Sequence, residues 1–246
     1  MKIGGKIIYF SAVSSTNDLA RELSLQGEEE GTVIVADEQT KGRGTKGRSW
    51  YSAPSLGLYA SIILRPARPD LSLLPLAMGL ACREAIAEAY GLKVFLKWPN
   101  DLILNDKKAG GLLLESSFSG PRPLYAILGL GLNLNHETED FPDELKERAI
   151  SLRQACGQKI NREDVLNQLW PKINSWYEMF LTGQDERIIQ SFEHHHLFPR
   201  GEKILVDLNG REIEGLFDGF SRNGALILVT SQGRRQLTTG EVSLKK

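Results

Sequence analysis

Residues 124–135 constrain the fold more than any other part of this chain. They read as one strand, ending in Gly129-Leu130-Gly131-Leu132-Asn133-Leu134-Asn135. Glycine weakens a strand interior, so a strand that keeps such glycines leaves bare backbone for another group to pack against closely. Asn133 and Asn135 stand two apart and therefore share a face. A sheet with something laid over it is the expected centre of the molecule.

The neighbouring segments fit that centre. Residues 6–10 read as a short strand. Ser14-Ser15-Thr16-Asn17-Asp18 opens a helix, with Ser15 as N-cap and Asp18 at the positive end. Residues 32–36 are a β-branched strand, 57–64 another, and 71–90 a long helix rich in alanine and leucine. Strands follow at 94–97, 102–104 and 111–115, with a polar turn at Asn105-Asp106-Lys107. From 148 to 196 the pattern turns helical, and Leu166, Leu169, Trp170, Ile173, Trp176, Tyr177 and Phe180 recur at core spacing. Pro171 inside that run is expected to kink or break it. After Phe198-Pro199-Arg200-Gly201 come short strands at 203–208, 213–220, 226–230 and 235–239. Asn209-Gly210, Asn223-Gly224 and Gln232-Gly233 separate them as tight turns. The chain thus divides into residues 1–197 and a small antiparallel barrel at 198–246.

Composition narrows the function classes. A 246-residue chain with 41% hydrophobic and 25% charged residues is ordinary for a soluble globular protein. Its net charge of −1 argues against a broad nucleic-acid-binding face. Cys82 and Cys156 are far apart and suggest free thiols in a reducing cytosol rather than a disulfide framework. No signal-peptide core and no membrane-spanning apolar run is visible. A cytoplasmic location is expected.

Two segments carry chemistry. Gly42-Arg43-Gly44-Thr45-Lys46-Gly47-Arg48-Ser49-Trp50, preceded by Lys41, is a flexible backbone bearing closely spaced cations, which suits a polyanion. It formally matches a dinucleotide fingerprint, but it runs into Ser49-Trp50-Tyr51-Ser52-Ala53-Pro54 rather than into a helix. It lacks the Gly-Lys-Ser/Thr of a Walker loop. A solvated surface loop is the plainer alternative, weakened by Gln39 before it and by the apolar anchor Trp50 at its end. The second segment is Lys97-Trp98-Pro99-Asn100-Asp101, in which Trp-Pro is expected to hold the chain extended and aim Asn100 and Asp101. An ordinary edge turn is the alternative. Lys108 follows on the next strand, with Gly110, Gly111 and Glu115 beyond it; alone it would read as a solvated turn lysine. Ser15-Thr16-Asn17 alone would be a helix cap. His194-His195-His196 points in divergent directions on a helix and reads as a solvated helix end rather than a metal site.

Taken together, these motifs resemble the biotin protein ligase family over nearly the whole chain. They are the Ser-Thr-Asn segment, the Gln-Thr-x-Gly-Arg-Gly-x-x-Gly-Arg-x-Trp loop, Lys-Trp-Pro-Asn-Asp, Lys-x-x-Gly-x-Leu-x-Glu and Gly-x-Gly-x-Asn-x-Asn, with the small terminal barrel. The resemblance implies an α+β fold: a mixed β-sheet with flanking helices, like class II aminoacyl-tRNA synthetases, and an SH3-like β-barrel. Some members carry an N-terminal winged-helix domain; here the catalytic pattern begins within the first residues, so no repressor function is expected. Thr45 stands where the family loop often has arginine, with Lys46 beside it.

The resemblance implies ATP-dependent activation of biotin to biotinyl-5′-AMP, with Mg²⁺ accompanying ATP, and transfer to a lysine of a biotin carboxyl carrier protein. It implies that Ser15, Thr16, Asn17, Gln39, Arg43, Gly44, Thr45 and Lys108 line the biotin and adenylate site. Arg48, Trp50, Lys97, Asn100, Asp101 and Asn133 would serve the nucleotide. Lys108, Arg43 and Arg48 would be the catalytic cations, Lys108 bridging carboxylate and α-phosphate. Residues 41–50 are expected to order over the adenylate. A lipoate–protein ligase and a non-enzymatic nucleic-acid module are the competing readings. A homodimer is possible, although no residue pattern decides it.

Overall fold

The computed structural model describes residues 2–208 and 210–244. Two sheets organise them. The first has seven strands: β1 (Ile7–Val13), β2 (Val33–Gln39), β3 (Gly57–Leu64), β4 (Phe95–Lys97), β5 (Asp101–Leu104), β6 (Lys107–Ser119) and β7 (Arg122–Asn133). Their order is β1-β2-β3-β7-β6-β5-β4. Only β1 and β2 run parallel; every other neighbouring pair is antiparallel, so the sheet is mixed as expected.

The helices cover both faces. They are α1 (Thr16–Leu25), α2 (Leu74–Tyr90), α3 (Asp143–Lys146), α4 (Leu152–Cys156), α5 (Arg162–Leu181) and α6 (Asp185–His194). The alternation of β7 sets the layers. Ala126, Leu128, Leu130 and Leu132 point into the main core, shared with Leu74, Met78 and Ala81 of α2 and Leu169, Ile173 and Phe180 of α5. Ile127 points the other way, into a smaller cluster with Ala20 of α1, Ile34 and Ile63. Gly129, Gly131 and Asn133 continue that second face beyond the end of the smaller cluster.

Residues 148–196 form three helices, and α5 runs through Pro171 without a break. Proline at that position removes one backbone donor, but the buried side of α5, from Val165 to Phe180, packs throughout its length. Strand β7 ends at Asn133, so Asn135 lies outside it. Trp98-Pro99 does not extend the chain; it forms the turn between β4 and β5, with a cis peptide bond and Lys97 paired to Asp101.

The second sheet is antiparallel, in the order β11-β10-β9-β8-β12, from β8 (Lys203–Leu208), β9 (Arg211–Phe220), β10 (Leu226–Thr230), β11 (Gly233–Leu237) and β12 (Glu241–Leu244). The last strand was not among those expected; its four residues are too few for alternation to reveal. Of the expected Asn209-Gly210 turn, Asn209 lies outside the described residues. The two sheets meet around His196. This residue is buried, with its ring among Phe192, Phe198, Phe217 and Phe220. Only His194 of the three consecutive histidines is exposed, so the run is not a solvated helix end. Burial pushes the His196 pKa down to about 4. Its Nδ1 lies 3.0 Å from the Phe198 carbonyl, so that nitrogen carries the proton and Nε2 accepts from the Trp98 N–H at 3.4 Å. The Trp98 indole N–H donates to the Gly224 carbonyl at 3.0 Å. The small sheet thereby grips the turn that separates Lys97 from Asp101.

Candidate active site

Beyond α1, on the same face of the large sheet, lies a cleft of about 480 Å³. That is the size of a small-molecule site. Every candidate site residue lines it: Ser15, Thr16, Asn17, Gln39, Arg43, Gly44, Thr45, Arg48, Trp50, Lys97, Asn100, Asp101, Lys108 and Asn133.

Its floor is the glycine pattern. A methyl on Gly131 would sit 2.5 Å from the Trp50 indole, and one on Gly129 would sit 2.3 Å from the Asn17 side-chain oxygen. The close packing expected over this backbone is therefore done by Trp50 and Asn17. Gly131 pairs with Gly111 on β6, which extends the bare patch.

One end of the cleft is lined by the uncharged polar side chains of Ser15, Thr16, Asn17 and Gln39. The Ser15 hydroxyl caps α1 by accepting from the Asp18 N–H at 3.4 Å. Gln39 Oε1 accepts from the Thr16 N–H at 2.8 Å, and Gln39 Nε2 donates to Ser52 at 2.9 Å. Asn17 Nδ2 donates to Glu115 at 2.7 Å.

Cations surround the rest. Arg43 Nη2 lies 2.6 Å from Glu115 and 3.0 Å from Asp18. Lys108 Nζ lies 2.6 Å from Asp101, whose other oxygen is 3.7 Å from Lys97. The Lys108 ammonium also stands 5.4 Å above the Trp50 ring, within cation–π range. The backbone of Lys108 is held by residues 148–150: its N–H donates to the Arg148 carbonyl at 2.8 Å, and its carbonyl accepts from Ile150 at 3.1 Å. Asn133 Nδ2 donates to the carbonyls of Lys108 and Ile150, and Asn100 Nδ2 to that of Leu112. Asn135 instead pairs with the backbone of Ile160.

The glycine loop is a short hairpin. Arg43 and Ser49 bridge antiparallel, Gly44 N–H donates to Arg48 at 2.7 Å, and Lys46 and Gly47 take positive φ at the tip. It leans on the small sheet through Arg48 and Glu241, 2.8 Å apart. Among the described residues, Arg43 Nε and Trp50 Nε1 are buried without an acceptor. Buried polar groups are usually paired, so unpaired donors beside a cleft mark it as a candidate binding site. No His/Cys/Asp/Glu cluster among the described residues could cage a metal.

Several contributors carry no role in the sequence reading. Glu115 stands two and four residues from Leu113 and Gly111, so strand alternation could have placed it on the cleft face. Arg148 and Glu241 reach the cleft from distant segments, and no local pattern announces them. Phe141 lines the wall with His136 stacked behind it at 4.7 Å; burial pushes that histidine's pKa down to about 4.

Comparison with known proteins agrees with this geometry. Residues 9–133 match the biotin/lipoate A/B protein ligase family, and residues 201–245 match the biotin protein ligase C terminal domain. The chain is 35% identical to the bifunctional ligase/repressor BirA of Bacillus subtilis, over 98% of this chain and 75% of that protein. To the biotin–[acetyl-CoA-carboxylase] ligase of Paracoccus denitrificans it is 31% identical, over 85% of this chain and 88% of the other. Biotin protein ligase from Aquifex aeolicus, solved with biotin and ATP, superposes with a TM-score of 0.85 at 33% identity, covering 98% of this chain and 99% of that one.

Proposed function

The chain belongs to the biotin/lipoate A/B protein ligase family, and on that premise we infer that it is a biotin–protein ligase, attaching biotin to protein with ATP. The observation that carries this is the make-up of the cleft. A neutral polar end runs into a group of cations, which suits a ligand with an uncharged polar head and an anionic tail.

The biotin carboxylate attacks the α-phosphorus of ATP, forming the acyl–phosphate bond as the bond to pyrophosphate breaks. The amine of an acceptor lysine then attacks the acyl carbon, AMP leaves, and the amine's proton passes to solvent. Two anions must approach each other in the first step, so fixed cations supply most of the stabilisation. Lys108, whose ammonium lies 2.6 Å from Asp101 and 5.4 Å from the Trp50 ring, is the cation assigned to bridge carboxylate and α-phosphate. Arg43 and Arg48 hold the adenylate from the loop side. Ser15, Thr16, Asn17 and Gln39 take the ureido ring, while Lys97, Asn100, Asp101, Asn133 and Trp50 serve the nucleotide. Mg²⁺ enters as the counter-ion of ATP, since such ions usually bind through one or two carboxylates and the phosphates themselves. The acceptor is the carrier domain of a biotin-dependent carboxylase. The two thiols, Cys82 buried and Cys156 half-buried, suit the cytosol.

Pyrophosphate release with MgATP, measured with biotin, with lipoate and with neither acid, tests the reading. Release that depends on biotin is expected. Equal release with lipoate, or none with either acid, would overturn it.

A further inference from the structure

We propose that Ser61, a hydroxyl beneath the cleft floor, is a positioning residue that sets biotin affinity through Asn17. The inference rests on the ligase reading and extends it to a residue outside every motif in the sequence. Ser61 is 0% exposed at the centre of β3 and does not line the cleft itself. Its Oγ lies 2.6 Å from Asn17 Oδ1 and 2.7 Å from Thr16 Oγ1.

Proton counting orders these contacts. Asn17 Oδ1 can only accept, so the Ser61 hydroxyl donates to it. The Thr16 hydroxyl then has one proton for two acceptors, Ser61 Oγ at 2.7 Å and Gln39 Oε1 at 3.0 Å; the shorter contact to Ser61 takes it, because Gln39 Oε1 already accepts from the Thr16 backbone N–H at 2.8 Å. Asn17 Nδ2 donates to Glu115, which also holds Arg43. Each of three strands supplies one wall of the Asn17 socket: Ser61 from β3, bare Gly129 from β7 and Glu115 from β6. Ser61 and Gly129 are register partners, which brings their contributions to one point.

With its oxygen occupied and one N–H on Glu115, the Asn17 amide has a single N–H to offer a ligand. Among the described residues, Ser61 alone donates to Asn17 Oδ1. Without the hydroxyl that oxygen is buried and unsatisfied, and the amide turns to find a partner. Among the described residues, Lys97, Asn100, Asp101 and Lys108 share no hydrogen bond with Ser61 or Asn17, so the change falls chiefly on biotin.

The test is Ser61→Ala, a nearly isosteric substitution, with biotin affinity by calorimetry and the ATP KM by pyrophosphate release. The biotin dissociation constant should rise about tenfold while the ATP KM stays within about twofold. Ser61→Cys, which retains a weaker donor, should fall between the two. On an Asn17→Ala background, Ser61→Ala should add less than about twofold, because the group it acts through is gone. Additive losses, or equal losses for biotin and ATP, would mean that Ser61 merely packs and would overturn the inference. An active parent protein with unchanged biotin affinity in Ser61→Ala would overturn it alone. A parent protein without biotin-dependent release would overturn the ligase reading and this inference together.

Discussion

Gly131→Ala should disable the cleft while leaving the sheet folded. The added methyl would sit 2.5 Å from the Trp50 ring, whereas carbon atoms in contact keep about 3.5–4.0 Å apart. Something must therefore move by at least about 1 Å. Strand β7 cannot yield, because Gly131 is paired with Tyr59 on one side and Gly111 on the other. Trp50 can, since it lies at the end of the hairpin loop, tied by its N–H to the Gly42 carbonyl. The ring lifts, and Arg43 and Arg48 shift with the loop that carries them.

Overpacking of this kind costs about 1–3 kcal/mol. For a chain of this length that is a fall of roughly 2–12 °C in melting temperature. The effect on chemistry is larger, since a misplacement of about 1 Å in a positioned group can cost about a hundredfold in rate. The assay is biotin-dependent pyrophosphate release beside a melting curve. Trp50→Ala supplies the control: with the indole removed, the methyl has room, so the double variant should be no worse than Trp50→Ala alone. Full activity in Gly131→Ala, or a double variant much worse than Trp50→Ala, would refute the argument that the floor glycines exist to seat Trp50.

Three further outcomes follow from the same geometry. Lys108→Ala should lose a factor of about 10²–10³ or more in adenylate formation with its melting temperature preserved, because the ammonium is at the cleft and the fold depends on the backbone of that residue; single-turnover adenylate formation checks it. Limited proteolysis should cut residues 41–50 in the free protein and spare them with biotin and ATP, since among the described residues the hairpin is held to the small sheet by exposed contacts, Arg48 to Glu241 and Lys46 to the Asp207 carbonyl. Stability should fall as pH drops from about 6.5 toward 4. The unfolded chain protonates His196 near 6.5, whereas the folded pKa is about 4, so in that window acid favours unfolding, by up to roughly 3 kcal/mol; the slope of a denaturation series should flatten in His196→Phe.

Local periodicity made the elements around the cleft legible. The Gly-x-Gly-x-Asn strand announced a bare surface because period 2 is a property of the strand itself. Its order in the sheet was not legible: β7 lies between β3 and β6, and β3 is over fifty residues away in the chain. That non-local pairing is what brings Gly129 beside Ser61 in the socket that holds Asn17. Pro171 misled in the opposite sense, since a local rule about helix breaking lost to an apolar stripe packed along the whole of α5. Trp98-Pro99 reads as extended from the residue-before-proline rule, yet the Trp98 side chain is anchored on Gly224 and its N–H on His196, both supplied by later segments.

The cations were readable as a set, but not their partners. A net charge of −1 argues against a polyanion surface only if charge is spread evenly. Here four of the cations stand beside a carboxylate: Lys108 and Lys97 on Asp101, Arg43 on Glu115 and Asp18, Arg48 on Glu241. Those acids keep like charges from splaying one another apart, and Asp101 on β5 holds the Lys97 and Lys108 head groups in place before any ligand arrives. The half-exposed pairs of Arg43 and Arg48 are individually worth about 0–1 kcal/mol, so there a phosphate can exchange with a carboxylate at little cost. The ligand that gains most is one that exchanges several pairs at once while its neutral head sits among Asn17, Thr16 and Gln39. A cleft built this way rewards the joined molecule, acyl group and nucleotide together, over either half alone.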